Sequence, residues 1–432
     1  VVDHINLILL ASPNARRIWV RSTPNQQHSK TNRNDGVVHA RPYGLAIARH
    51  TYCLRSEPRY AFLPAIIAPM STSKPRILTG DTPTHTGLHL GHYVGSLENR
   101  LRLQDEYDCY FLIANVHAFT TLAEKPADIR ANTLGIVKDW LAIGLDPQRS
   151  TFVLQSEIPA IAELTFLFAM LIPFNKVMRN PTLKTEIESK GLGDTYPFGF
   201  PMYAVGQCAD ILTFRPDLVP VGEDQEAHIE MCRDVALKFN QLYCNVGNRV
   251  LPEDHHKQGG VFPIPRAKVG RVGRLVGLDG KNKMSKSLGN AIFLYDTEKE
   301  VQKKINKIVT GRATATSPLA QDNPLAQYLD VFLPSERADQ IKSDYASGKE
   351  VMDGHIKAEL GAAINTLLAP MRERRAKLEE PPQPGKPSGE ELVLQVIRDG
   401  IKQANVVAEE TLMLAKKAMG LEFASRTFSM VP

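Results

Sequence analysis

The chain has 432 residues, 43% hydrophobic and 23% charged, which is the balance of a chain that folds around its own core and is long enough for two or three domains. Its net charge of +5 is unevenly spread: residues 1–69 hold nine Lys/Arg against three Asp/Glu, a net of +6, so the remainder stands at −1 and a nucleic-acid partner would be gripped by local patches, not by a global field. The most apolar stretch, Ile161 to Phe174, carries Glu163 and is too short to cross a bilayer, so it predicts a buried helix and no membrane association.

In chain order, residues 1–69 come first and look unlike the rest. They mix Pro, Asn, Arg, Ser and His without sustained periodicity, and Met70-Ser71-Thr72-Ser73-Lys74-Pro75 reads as the start of the folded part. Two readings of this extension stand side by side. Arg-rich, acid-poor N-termini are the mark of targeting segments. The missing amphipathic helix, together with Asp3, Asp35 and Glu57, favours instead a translated upstream region without function. From Arg76 the text becomes α/β. Arg76 to Thr79 predicts a strand that runs into a Gly-rich turn, and Tyr110 to Ala114 and Thr151 to Leu154 are continuous apolar runs of the kind buried on both faces. Between them, Asp128 to Ile143 has helical spacing, with Ile129, Leu134, Val137 and Leu141 on one side. Alternating strand and helix predicts a parallel, doubly wound sheet.

After about residue 295 the strand signals fade. Val301, Ile305, Ile308 and Val309 keep helical spacing, as do Ile356, Leu360, Ile364 and Leu367, and then Val393, Val396, Ile397 and Ile401; a proline-rich linker, Pro381 to Ser388, separates the last two sets. The expected organisation is an extension (1–69), an α/β domain with a helical insertion (70–294) and an all-helical domain (295–432). The cysteines at 53, 109, 208, 232 and 244 form no CxxC, so neither protein-bound zinc nor a redox pair is signalled. A scattered, odd set suits core residues in a reducing compartment, hence the cytoplasm.

Two motifs carry chemistry. Gly80 to His92 (GDTPTHTGLHLGH) follows a strand and opens a helix, whose free N–H groups and dipole favour phosphate. Gly91 lets a base or ribose approach the backbone, and His89 and His92 can donate to phosphate oxygens as charge grows. Alone, such a string also describes two surface histidines beside a glycine. About 190 residues on stands Lys283-Met284-Ser285-Lys286-Ser287. Two ammonium groups flanking a hydroxyl make a flexible clamp for a leaving pyrophosphate. By itself this would be a solvated loop; the pair of motifs together is far more specific.

His89-Leu90-Gly91-His92 with Lys283-Met284-Ser285-Lys286-Ser287 resembles the two signatures of class I aminoacyl-tRNA synthetases, over about Pro75 to Leu421. The spacing is similar to the short subclass that handles tryptophan and tyrosine. The resemblance implies a Rossmann-like parallel-sheet catalytic domain with a C-terminal helical domain for the anticodon, ATP with Mg2+, adenylate formation, tRNA and a homodimer. A third block, Val219-Pro220-Val221-Gly222-Glu223-Asp224-Gln225 followed by His228, looks like tryptophanyl-tRNA synthetases, and so points to L-tryptophan and tRNA(Trp). In that family the aspartate matching Asp210 accepts the indole N–H, and Tyr203 and Gln225 surround the amino and carboxylate ends. Thr82, Pro83 and Thr84 match a segment that contacts ATP; Gly222, Glu223 and Asp224 match one under the ribose; Leu275 matches a backbone contact to adenine. His117 matches a histidine near the amino-acid pocket, although a satisfied core histidine reads equally well.

Gln207 departs from the tryptophan pattern, since many of those enzymes have Met there. With Tyr203 and Asp210 it makes YxxxQxxD, which is also the pattern of tyrosyl-tRNA synthetases. Against tyrosine, those enzymes place a Tyr where this chain has Leu78, and a site built for a hydroxyl needs its partner. A subgroup of tryptophan enzymes combines this Gln with an intact lysine loop. Two other classes remain in view. A small-substrate nucleotidyltransferase would share the histidine motif but not the 219–225 block, and a catalytically dead RNA-binding relative would tend to lack the histidines or lysines that stand here.

Overall fold

The computed structural model describes residues 74–84, 87–193, 195–222, 225–269, 275–282, 284–285, 288–320 and 322–424. Both readings of residues 1–69 lie outside the described residues. The chain enters through β1 (Arg76–Asp81), α1 (Leu90–His92), a π-helical turn (Tyr93–Leu97) and α2 (Glu98–Glu106). Next come β2 (Asp108–Ile113), α3 (Phe119–Leu122), α4 (Pro126–Ile143) and β3 (Ser150–Leu154). A helical block, α5 (Pro159–Ala169), α6 (Phe174–Met178), α7 (Pro181–Ser189) and α8 (Gly199–Thr213), precedes β4 (Leu218–Val221), and α9 (Glu226–Tyr243) precedes β5 (Arg266–Val269). The remainder is helical: α10 (Glu298–Asn306), α11 (Pro324–Phe332), α12 (Ser335–Ala346), α13 (Asp353–Leu378) and α14 (Gly389–Ala418).

The strands pair in parallel in the order β3-β2-β1-β4-β5, with Leu78 opposite Tyr110 and Tyr110 opposite Thr151. The order reverses between β1 and β4, which opens a crevice at the carboxyl ends of the strands. Helices cover both faces, and this is why the strands read as unbroken apolar runs rather than alternating ones. Ile77, Phe111 and Phe152 face Trp140 of α4, while Leu78, Tyr110, Leu112 and Val153 face α5, α8 and α9. The first of these cores runs on without a break into Leu329, Leu360 and Ile364 of the C-terminal helices. Trp140 is wholly buried, and each such side chain contributes about 1.5–3 kcal/mol by leaving water. Thr297 with Glu300, and Ser388 with Glu391, form capping boxes that start α10 and α14.

Several details differ from expectation. The buried face of α4 is Ile129, Ile136, Val137, Trp140 and Ile143; Leu134 and Leu141 are half-buried, because the sheet and α13 approach from neighbouring directions. In α13, Leu368 takes the core position expected for Leu367, and Val309 is exposed beyond the end of α10. The stretch Ile161 to Phe174 is not buried all round. Ile161, Leu164 and Phe168 point inward, while Phe166, Met170 and Phe174 are 61%, 64% and 60% exposed. Among the described residues no helix is long and apolar enough to cross a membrane.

Candidate active site

A cavity of about 440 Å³ lies at the switch point between β1 and β4. Leu78, His117, Tyr203, Gln207, Asp210 and Gln225, the residues expected to hold an amino acid, all line it, together with Thr82, Thr84, His92 and Gly222. Leu112, Ala114, Ile211, Val219 and Val221 complete an apolar slot around them. Glu223 and Asp224 lie outside the described residues. Pro83 is buried beside the cavity, and its carbonyl accepts from Asn132 Nδ2 at 3.1 Å.

Asp210 is 2% exposed on α8, so its charge needs donors. Gln155 supplies the first: its Nε2 donates to Asp210 Oδ1 at 2.7 Å. The amide orientation follows from its other end, where Gln155 Oε1 accepts the N–H groups of Val116 and His117 at 3.0 and 3.3 Å. The same Nε2 stands 3.2 Å from His117 Nε2, which must therefore accept. The remaining ring proton then sits on Nδ1, 3.5 Å from Asp210 Oδ2. The backbone at 116–117 thus fixes the amide, the amide fixes the imidazole tautomer, and both turn donors toward one carboxylate. Burial pushes the Asp210 carboxyl above its ordinary value, with the His117 ring and the Gln155 hydrogen bond pulling against it. Gly206 makes room for the ring: a Cβ there would lie 2.8 Å from His117 Nε2. His117 thus lines the cavity with its ring beside Asp210.

At the other end of the slot, burial and the Glu186 carboxylate push the Tyr203 phenol up, so it stays a hydrogen-bond donor. Its oxygen is 3.4 Å from His228 Nε2. Gln207 Nε2 donates to Gln225 Oε1 at 3.4 Å, which ties two of the expected ligand residues to each other. Glu186 and Lys190, paired at 2.8 Å, also face the cavity from the α7 region. Neither they nor Gln155 stood out in the sequence. The signal that marks Gln155 is a lone amide directly after a strand; the other two sit in ordinary amphipathic text.

Asp81, at the end of β1, borders the cavity and receives Arg100 Nη1 at 2.8 Å and Nη2 at 3.0 Å, with Trp140 Nε1 at 2.9 Å. Burial raises the Asp81 carboxyl, but the Arg100 guanidinium, His92 and Trp140 together hold it below its usual value.

The histidine motif curls over this corner. His89 is buried and stacks on His92, ring centroids 3.7 Å apart. Leu90 N–H donates to Ile292 O and Leu294 N–H to Leu88 O, at 2.9 and 3.0 Å, so the segment that follows the lysine motif clips onto the histidine loop. The two motifs also touch: Gly91 N–H points to Met284 Sδ at 3.3 Å. Met284 is buried, its N–H donates to Leu275 O at 3.4 Å, and Ser285 N–H donates to Asn290 Oδ1 at 2.7 Å. Leu275 is itself buried. Lys283, Lys286 and Ser287 lie outside the described residues. His89, Gly91, Leu275, Met284 and Ser285 do not line the cavity and sit behind or beside it.

Comparison with known proteins adds an independent line. The family of class I tRNA synthetases for W and Y matches residues 70–369. The chain is 42% identical over 356 residues to the tryptophan–tRNA ligase of Treponema pallidum, covering 80% of this chain and 97% of that one. It is 39% identical to the Lactococcus lactis tryptophan–tRNA ligase, covering 81% and 99%. Among solved structures it is similar to the tryptophanyl-tRNA synthetase of Campylobacter jejuni complexed with ADP and tryptophan, with a TM-score of 0.65, 29% identity, and coverage of 80% of this chain and 100% of that one.

Proposed function

Because the chain belongs to the tryptophan–tRNA ligases of the class I tRNA synthetase family, we propose how its residues divide the work of that enzyme. The reaction activates L-tryptophan with ATP to the adenylate and then transfers the aminoacyl group to the 3′ end of tRNA(Trp). Asp210 accepts the indole N–H. Tyr203, Gln207 and Gln225 hold the ammonium and carboxylate ends, and Leu78 lies flat against the ring. The tryptophan carboxylate attacks the α-phosphorus of ATP and pyrophosphate leaves. His89 and His92 steady the α/β-phosphate charge, and Lys283, Ser285 and Lys286 steady the pyrophosphate, with Met284 and Ser287 in the same loop. Thr82, Pro83, Thr84, Gly91, Gly222, Glu223, Asp224 and Leu275 shape the nucleotide site. No covalent bond to the enzyme is needed; the work is positioning and electrostatics. The 2′-hydroxyl of the terminal adenosine then attacks the adenylate carbonyl and AMP leaves. Mg2+ enters with the ATP phosphates, no zinc is held by the protein, the helices of 295–432 read the anticodon, and the enzyme works in the cytoplasm.

The observation that carries the substrate reading is the buried carboxylate of Asp210 in an apolar slot, hydrogen-bonded by Gln155 with the His117 ring 3.5 Å away, and with no phenol partner at Leu78. Amino-acid-dependent pyrophosphate exchange, run with each amino acid in turn, tests it. Tryptophan alone should support exchange, and strong exchange with tyrosine would overturn the assignment.

The same reading includes a homodimer. An apolar cavity of about 540 Å³ lies between α3, α5 and α8, and shares His117, Thr120 and Tyr203 with the amino-acid pocket. Phe119, Phe166, Met170 and Phe198 are 45–72% exposed nearby. A patch of this kind on a lone protomer is an association surface.

A further inference from the structure

Asp139 is an acid near the C-terminal end of α4 with 1% of its surface exposed, and nothing in the division of roles above uses it. Its two oxygens face opposite ways. Oδ2 accepts the N–H of Leu88 at 2.8 Å, one residue before His89. Oδ1 accepts from the guanidinium of Arg375, near the end of α13. Arg375 also lies over the ring of Tyr295, 4.9 Å from its centre, and donates Nε to Glu379 at 3.1 Å. That ring in turn backs Gly87, where the backbone has φ +83 and a Cβ would come within 2.5 Å of it. The neighbouring Arg374 donates to the carbonyls of Ala142 and Ile143 at 2.6 and 3.0 Å, gripping the last turn of α4.

A buried ion pair is a poor way to glue helices, since apolar side chains of the same volume usually serve as well or better. What it adds is a fixed distance. Leu88 is itself buried, so its N–H has no water to turn to and must follow the Asp139 oxygen. The oxygen follows the guanidinium, and the guanidinium is set by its place on α13. We propose that Asp139 and Arg375 are positioning residues for adenylate formation, acting through Leu88 to set the height of the His89–His92 loop over the phosphates. This rests on the reading that His89 and His92 act on the phosphates of ATP. Misplacing a reacting group by about 1 Å costs on the order of a hundredfold in rate, so a link of this kind is felt in turnover before it is felt in binding.

The test is a cycle of Asp139→Asn, Arg375→Met and the double variant, measured by tryptophan-dependent pyrophosphate exchange and thermal unfolding. Asp139→Asn keeps an acceptor for Leu88 and loses the charge. Arg375→Met keeps packing on Tyr295 and loses the pair. Each single change should lower kcat about tenfold or more with KM for tryptophan within about twofold of the parent. The double variant should be no worse than the weaker single one, because both act through one loop. Arg375→Lys should recover part of the loss. If Arg375→Met fails to fold around an unpaired carboxylate, the double variant, which is neutral at both positions, is compared with Asp139→Asn. Unchanged kcat in folded variants, losses that multiply, or a matching rise in KM for tryptophan would overturn the inference. Absence of exchange in the parent protein would instead overturn the reading on which it rests.

Discussion

Gln155→Glu replaces one NH2 by one oxygen without changing size. The oxygen that accepts from Val116 and His117 can stay where it is. The other oxygen then stands 2.7 Å from Asp210 Oδ1, where a donor stood before. Two unit charges at that distance repel by about 6 kcal/mol at an effective dielectric of about 20, equivalent to about four pKa units. The variant must therefore take up a proton, either between the two carboxyl groups or on His117, whose Nε2 has lost its donor. With that proton in place the geometry survives and tryptophan activation persists at mildly acidic pH. As pH rises through the new pKa the proton is lost and the charges push apart. Relative to the parent enzyme, kcat/KM for tryptophan should then fall about tenfold or more between about pH 6 and 9. KM for ATP should hold, because no phosphate group is involved. Pyrophosphate exchange across that range is the assay. A ratio of variant to parent that is flat with pH and near one would refute the argument, since the amide would not then be the partner of Asp210.

Asp210→Ala should lower kcat/KM for tryptophan by about ten- to a hundredfold, the worth of a charge-assisted hydrogen bond, and leave KM for ATP unchanged; Leu78→Tyr should impair tryptophan and admit some tyrosine, read in the same exchange assay. Asp81→Asn leaves Arg100 buried without its charge partner and should cost about 3–5 kcal/mol of stability at neutral pH. The sign with pH follows from the lowered Asp81 pKa: the contribution is present above the unfolded carboxyl's value of about 4 and is lost as pH falls through the folded one, so the gap in thermal stability between parent and variant should close on acidification. Light scattering at micromolar concentration should give twice the protomer mass, and Phe166→Glu with Met170→Glu should halve it; a monomeric parent would contradict the assembly proposed.

Much of the fold was legible because its signals are local. A strand buried on both faces is a run of apolar residues, and the runs at 76–79, 110–114 and 151–154 could be read as such, within a residue or two of the strands at 76–81, 108–113 and 150–154. The two motifs were legible because their chemistry demands rare residues at fixed spacing. What escaped is relational. Gln155 matters only because the parallel pairing of β2 with β3 brings it beside His117, and the fold carries Asp210 on α8 across to it. Asp139 and Arg375 are 236 positions apart, and neither has a neighbour in sequence that betrays the other. The mixed character of Ile161 to Phe174 escaped for a different reason: hydrophobicity alone does not say which residues face the core and which face another molecule.

The core that runs from Ile77 and Phe111 through Trp140 into Leu329, Leu360 and Ile364 has a consequence for inheritance. A domain that closes on its own interior can be lifted out and traded between genes. The C-terminal helices cannot be traded in this way, because one face of the sheet is their interior as well. Cut at residue 295, neither piece keeps a closed surface. The enzyme should melt in a single transition, and a foreign module could not simply be grafted in place of these helices. New properties on these helices would have to come one exposed side chain at a time, on a scaffold whose hidden side is committed to the catalytic sheet.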